Sequence, residues 1–310
     1  MFRSILIASV VFAAPLRAEV PSVLTDIAPV HSLVSMVMEG VGTPQLLLRP
    51  GTSPHSYAMR PSEAAALQSA DVVVWVGDGL TPWLEGPIER LAGDAEILGL
   101  LEIAPVQREN AEDHHDGHDD EHDDEQDDHT AEHEDDHHDD HGDIDPHAWL
   151  DPENAIHWVR VIADTLATRD AENGDTYRKN ASAAAAKIAD MQSKIAATFA
   201  EGDAPSYAVQ HDGYGYFEAR FGLAHAFAIT TTHAVSPGPA RIAELRESVL
   251  KSPIDCVLTD GFEAIGLLNT VLEGHQTRVV NADPTGAEFT PGPLLYIDLT
   301  RNLADTIAAC

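Results

Sequence analysis

The sequence predicts an α/β protein: two lobes built on mostly parallel sheets and joined by one long helix. At 310 residues the chain exceeds what one hydrophobic core ordinarily organises, so two packed units are expected. Short apolar runs that end in turn residues alternate with amphipathic stretches, as βα units on a parallel sheet require. An Ala-rich stretch over residues 175–199 has the propensity to form one long helix and divides the alternating runs into two sets.

Taken in order, residues 20–25 read as the first strand and 29–38 as the helix behind it. Residues 45–48 give a second strand, and Pro61 with Ser62 opens a helix over 61–69, where a missing N–H costs nothing. The β-branched run 72–76 implies a strand buried on both faces. Residues 83–91 and 97–100 continue the alternation as helix and strand. After Pro152 come helices over 154–167 and 175–199. The second set then runs 206–209, 214–221, 224–229, 239–250, 256–259, 264–272, 278–281 and 296–309. The domain boundaries expected from this pattern are 19–174 and 202–310, with the connecting helix at 175–201.

Charge is concentrated in one place. Hydrophobic content of 44% and charged content of 23% are globular values, yet the formal net charge is −34. Between residues 112 and 141, 26 of 30 residues are His, Asp or Glu, with no Lys or Arg, and the seventeen acids supply −17 of that charge. With almost no apolar side chain to bury, the segment 112–143 is expected to be a disordered insertion. Its imidazoles, His114, His115, His118, His122, His129, His133, His137, His138 and His141, offer overlapping weak metal sites. A solvated acidic loop that merely tolerates His is the alternative. A surface of this sign repels phosphate backbones and excludes nucleic acid as a partner.

Residues 1–18 read as a secretory signal peptide: Arg3, an apolar stretch over 5–14, then Leu16-Arg17-Ala18 before Glu19. The run is too short to span a bilayer, which needs about 20 apolar residues. No Cys follows it for acylation, so a freely diffusing periplasmic protein, monomeric, is expected. The two cysteines, Cys256 in an apolar run and Cys310, suggest a disulfide in an oxidising compartment. It would fasten the last helix to a core strand, worth roughly 4 kcal/mol in the chain-entropy model. Two unpaired thiols are the alternative.

Eight histidines lie outside the tract. His55 sits in a Gly/Pro loop, Pro50-Gly51-Thr52-Ser53-Pro54-His55, before the helix at 61. His147 sits between two prolines in Asp145-Pro146-His147-Ala148-Trp149-Leu150-Asp151-Pro152, where Trp149 can shield the imidazole. His211 follows a strand directly, and Asp283 follows the strand 278–281. Each alone reads as a cap or turn former. Together they form three imidazoles and a carboxylate just past strand-like runs, two from each half, where open α/β sheets collect ligands. Glu153 and Asp212 adjoin two of them and are candidates for orienting imidazoles. His31, His157, His225, His233 and His275 read as helix-face or surface-loop residues rather than ligands.

Three segments carry a family resemblance: Gly-Thr-Ser-Pro-His-Ser-Tyr-Ala-Met-Arg-Pro-Ser at 51–62, Asp-Pro-His-Ala-Trp-Leu-Asp-Pro at 145–152, and His-Asp-Gly-Tyr-Gly-Tyr-Phe-Glu at 211–218. They resemble the metal-site motifs of the metal-specific solute-binding proteins of ABC importers, zinc type, in order and across the mature chain. The resemblance implies two Rossmann-like lobes joined by a long helix, Zn²⁺ in the cleft between them, and His55, His147 and His211 as ligands. It also implies a Cys256–Cys310 disulfide and delivery of zinc to an ABC permease and its ATPase. Manganese-type relatives place a carboxylate at the position of His211, whereas three imidazoles suit Zn²⁺. Some zinc-type members have a Glu just before the first ligand; Pro54 stands there and cannot coordinate, so Asp283, water or a tract His is expected as fourth donor.

The expected function is therefore a high-affinity zinc receptor and not an enzyme. No His-Glu-x-x-His motif commits a base to a metal-bound water. A zinc or nickel store, or a chaperone working through the tract, is the alternative, and the tract could also dock a periplasmic zinc chaperone. Proton release on binding is expected, with affinity weakening as pH falls through the histidine range.

Overall fold

The computed structural model describes residues 20–109, 144–200, 205–251, 254–261 and 265–310; the expected signal peptide and the tract, including its nine histidines, lie outside them. The first half runs β1 (Val23–Thr25), α1 (Ala28–Val37), β2 (Gln45–Leu46), α2 (Pro61–Gln68), β3 (Val72–Trp75), α3 (Pro82–Leu91) and β4 (Glu96–Gly99). A 3-10 turn (Ala148–Leu150), α4 (Pro152–Arg169) and α5 (Gly174–Ala200) follow. The second half runs β5 (Tyr207–His211), α6 (Gly215–Phe221), β6 (Ala228–Thr230), α7 (Pro239–Lys251), β7 (Cys256–Thr259), α8 (Ile265–Val271), β8 (Arg278–Asn281) and α9 (Leu295–Ala308). Among the described residues no helix is long and apolar enough to cross a membrane.

Both sheets are wholly parallel and have equivalent orders, β2-β1-β3-β4 and β6-β5-β7-β8. The β-branched run behaves as expected: Val72, Val73, Val74 and Trp75 are all buried. Strand periodicity sends Val72, Val74 and Val76 into one apolar cluster, and Val73 with Trp75 into another. The second sheet repeats this, with Tyr207, Val209, Cys256 and Leu258 on the inner side and Ala208 with Val257 on the outer.

The inner cluster is shared. It runs without a break from Val23 and Val34 through Trp149, Trp158, Ile188 and Met191 to Tyr207, Tyr296 and Ile307. The two sheets thus face a common layer of helices, α1, α4, α5 and α9. In α5 the buried residues Tyr177, Ala181, Ala184, Ile188, Met191 and Ile195 recur at intervals of three and four, one stripe along 27 residues. At 1.5 Å per residue the helix is about 40 Å long.

The chain's last helix returns to its first. Leu295 and Leu299 pack on Ala28, the Tyr296 N–H donates to Ser32 Oγ at 3.0 Å, and the Tyr296 hydroxyl donates to the Trp149 carbonyl at 2.9 Å. Cys256 of β7 is disulfide-bonded to Cys310, with Cα atoms 5.6 Å apart, so α9 is fastened to a core strand as the sequence suggests. Asp151, the N-cap of α4, accepts from the Glu153 N–H and binds Arg220 of α6 through both oxygens, at 2.8 and 2.7 Å.

Candidate metal centre

Every group at the centre is placed by backbone just beyond a strand or at a helical turn. His55 stands in the loop between β2 and α2, pinned where Trp83 Nε1 donates to the Pro54 carbonyl at 2.8 Å. His147 caps the 3-10 turn. It follows an isolated antiparallel bridge, Glu109 to Ile144. His211 is the last residue of β5.

These three histidines, remote in sequence, converge. Each offers one ring nitrogen, and the three nitrogens lie within 4.8 Å of one another. Ring centroids are 5.4 Å apart for His55 and His147, 5.2 Å for His55 and His211, and 4.9 Å for His147 and His211. A tetrahedral zinc with Zn–N near 2.0–2.1 Å needs its nitrogens about 3.3 Å apart, so closing on an ion takes shifts of at most about 1.5 Å. Gly213 leaves the necessary room: a Cβ there would stand 3.1 Å from His147 Nε2 and 3.2 Å from His211 Cε1.

The neighbours settle which nitrogens can donate a lone pair, an assignment that follows from hydrogen-bond partners. His147 Nδ1 donates to Asp145 Oδ1 at 2.8 Å, which leaves the Nε2 lone pair available to a cation and fixes the ring. His211 Nε2 donates to the Thr232 carbonyl at 3.0 Å. Its Nδ1 stands 3.5 Å from Asp260 Oδ2. His55 Nε2 is buried and has no hydrogen-bond partner. Buried polar atoms are seldom left so, and this one opens on the pocket formed with His147, Trp149 and His211.

Electrostatics keep His55 and His147 neutral. Burial, then repulsion from His147, His211 and His233, lowers His55 to about 2. Burial, then His211 and His233, holds His147 well below its ordinary value. Burial raises Asp145 to about 6. Protonation therefore competes with a cation at a lower pH than the ordinary histidine range in which the sequence places it.

Several expectations change. Asp283 is buried beyond β8, but Oδ1 accepts from the Thr285 N–H and hydroxyl at 2.7 and 2.8 Å, and Oδ2 from the Ala287 N–H at 2.5 Å. Its oxygens shape their own loop, and among the described residues the set of donors within 4.8 Å of one another holds three imidazoles and no carboxylate. Glu153 and Asp212 are not the orienting acids: Glu153 accepts from Gln192 at 3.1 Å and Asp212 lies 3.9 Å from His225 Nε2. Asp145 and Asp260 stand against the ligand rings instead. His233, read as a surface-loop residue, has its ring 6.4 Å from that of His55. Both missed residues obey the rule that found the others: Asp260 directly follows β7, and His233 stands three residues past β6.

Two further histidines have structural roles. His31 is buried in α1 with Nε2 3.2 Å from the Pro44 carbonyl. His225 Nδ1 donates to Glu218 at 2.9 Å, and Glu218 also accepts from the Tyr207 hydroxyl at 2.7 Å.

Comparison with known proteins follows this geometry. The family model described as "ZnuA: Zinc-uptake complex component A periplasmic" matches residues 23–310. The chain is 43% identical over 306 residues to the "High-affinity zinc uptake system protein ZnuA" of Paracoccus denitrificans, covering 96% of this chain and 94% of that one. It is 38% identical over 310 residues to the protein of the same description from Brucella abortus, covering 95% and 93%. A solved "Crystal structure of ZnuA" superposes with a TM-score of 0.75 at 16% identity, over 94% of this chain and 99% of that one, a likeness of fold.

Proposed function

We infer function from one premise: this chain belongs to the ZnuA family of periplasmic zinc-uptake components. It captures Zn²⁺ in the cleft and delivers it to an ABC-type importer, a ZnuB permease with its ZnuC ATPase, from the periplasm. The observation that carries this reading is the convergence of His55, His147 and His211 on one small pocket, with His55 Nε2 buried and without a partner.

The mechanism follows from the donors. Zinc enters between the halves and exchanges waters for three imidazoles, His55 and His147 already neutral, His147 and His211 already held by Asp145 and the Thr232 carbonyl, and His147 already shielded by Trp149. Little reorganisation is left for the binding step. Three nitrogens with no carboxylate among them favour zinc over manganese, which prefers oxygen. Zinc is cargo here, so no bound water needs activating and no base is required. Residues 112–143 serve as an accessory that gathers metal at low affinity.

Zinc titration against a competing chelator tests the reading. The wild type and a variant lacking residues 112–143 should share one tight site, and His211→Ala should weaken that site by at least about 100-fold. Loss of the tight site on deleting 112–143, with His211→Ala harmless, would instead establish a store built on the tract.

A further inference from the structure

Close to the metal centre, one histidine is placed to carry a charge. His225 lies in the loop between α6 and β6, which is tied down on either side of it: the Leu223 N–H donates to the Glu218 carbonyl at 2.8 Å and the Ala226 N–H to the Tyr207 carbonyl at 2.7 Å. That path sets the imidazole between two acids from different elements. Nδ1 lies 2.9 Å from both carboxylate oxygens of Glu218, on α6, and Nε2 lies 3.9 Å from Asp212 Oδ1, in the turn after β5. The Tyr207 hydroxyl of β5 reaches the same Glu218 at 2.7 Å. Glu218 and Asp212 are thus the charged groups that face the ring.

A neutral imidazole has a single N–H. With Nδ1 donating to Glu218, its Nε2 would turn a lone pair toward the Asp212 carboxylate, whereas the imidazolium presents an N–H to each acid. The His225 side chain is 18% exposed and that of Glu218 7%, so these charges meet with little screening. Burial opposes the charged ring, but the bond to Glu218 and the charges of Glu218 and Asp212 outweigh it and raise His225 above its ordinary value.

Asp212 carries the effect to the metal centre. It follows His211 directly; its N–H donates to the Thr230 carbonyl at 3.2 Å, and the next N–H, that of Gly213, returns to the His211 carbonyl at 2.9 Å. Gly213 in turn lies against two rings, where a Cβ would stand 3.1 Å from His147 Nε2 and 3.2 Å from His211 Cε1. A displacement of Asp212 is therefore passed to the seat of both imidazoles.

Resting on the reading of the cleft as a zinc site, we propose that His225 is a positioning residue for zinc: as an imidazolium it clasps Asp212 to Glu218 of α6 and so holds the 211–213 turn against which His147 and His211 are seated. It adds no donor to the ion. The clasp is fully formed at low pH and is lost as pH rises past the raised value of His225, the reverse of what protonation does at a ligand ring.

The test measures zinc affinity by chelator competition on the full chain, wild type beside His225→Gln, at about pH 6 and about pH 9, on either side of the histidine range. Zinc hydrolysis and chelator protonation cancel in the ratio of the two proteins. The expected result is His225→Gln weaker by about three- to tenfold at the lower pH and within about 1.5-fold of wild type at the higher. A ring that serves the fold alone would weaken zinc by one factor at both pH values; that outcome, or no loss at the lower pH, overturns the proposal. Asp212→Asn leaves the Glu218 contact in place and gives a second measurement free of any folding defect in His225→Gln. It should show the same pH-dependent loss, and the double variant should be no weaker than either single one. A double variant as weak as the product of the two losses also overturns the proposal. His55→Ala separates the two levels: if it binds zinc as the wild type does, the cleft reading fails and takes the clasp with it, whereas a weakened His55→Ala beside a pH-independent ratio removes the clasp alone.

Discussion

Imidazoles that are buried before the metal arrives change what pH does to binding. Three ordinary histidines with pKa near 6.5 would each lose about tenfold in availability between pH 7.5 and 5.5, a combined loss of about a thousandfold. Burial and mutual repulsion hold His55 to about 2 and His147 well below 6.5, so two of those three factors drop out. Zinc affinity should therefore fall by much less than a thousandfold over that range, with correspondingly few protons released on binding. Isothermal titration in buffers of different ionisation enthalpy measures both quantities, and a thousandfold loss would mean that these rings meet water in the metal-free protein. A second residue-scale prediction concerns space. Gly213→Ala would place a methyl 3.1–3.2 Å from the rings of His147 and His211, closer than well-packed carbon contacts. The backbone there does not depend on glycine, so the protein should fold normally while binding zinc about 10- to 100-fold more weakly.

At the scale of elements, one residue serves two. Asp151 caps α4 and holds Arg220 of α6 with paired hydrogen bonds, nearly buried itself while the arginine is about a quarter exposed. Asp151→Ala removes the cap and strands the guanidinium, for a cost of about 2–4 kcal/mol. In a chain of this size that corresponds to a melting temperature lower by roughly 4–16 °C, measurable by calorimetry on the metal-free protein. The elements themselves were legible in the sequence. β7 and β8 fall where their apolar runs place them, and the Ala-rich stretch is one helix, because local propensity and burial point the same way there. The site was legible only in part. His55, His147 and His211 stand out through Gly, Pro and Trp neighbours, whereas Asp260 and His233, though also placed past strands, have no such neighbours to mark them and come near through strand pairing and a loop path. Asp283 shows what a position after a strand leaves unsaid: its oxygens accept from Thr285 and Ala287 in the same loop, which no local pattern announces.

The whole molecule is held more tightly than two lobes on a hinge. Its inner apolar layer continues from the first sheet to the second, and α9 is bonded to α1 at one end while Cys310 is bonded to β7 at the other. Wide opening would expose that layer to water at about 25 cal/mol per Å². Zinc should accordingly change the radius of gyration, about 19 Å for a chain of this length, by less than about 1 Å in small-angle scattering. A change of several ångströms would show that the halves part along the shared layer.

The bridge between Glu109 and Ile144 has a practical use. It joins the two ends of residues 110–143 to each other, and the next residues on one side are Asp145 and His147. Whatever is spliced between those ends hangs from a closed stem and leaves the flanking chain in register. A circularly permuted fluorescent protein inserted there would have its termini clamped three residues from His147 of the candidate metal centre, and its brightness would follow the movement of that imidazole. The stem is thus a ready port for converting occupancy of the cleft into light.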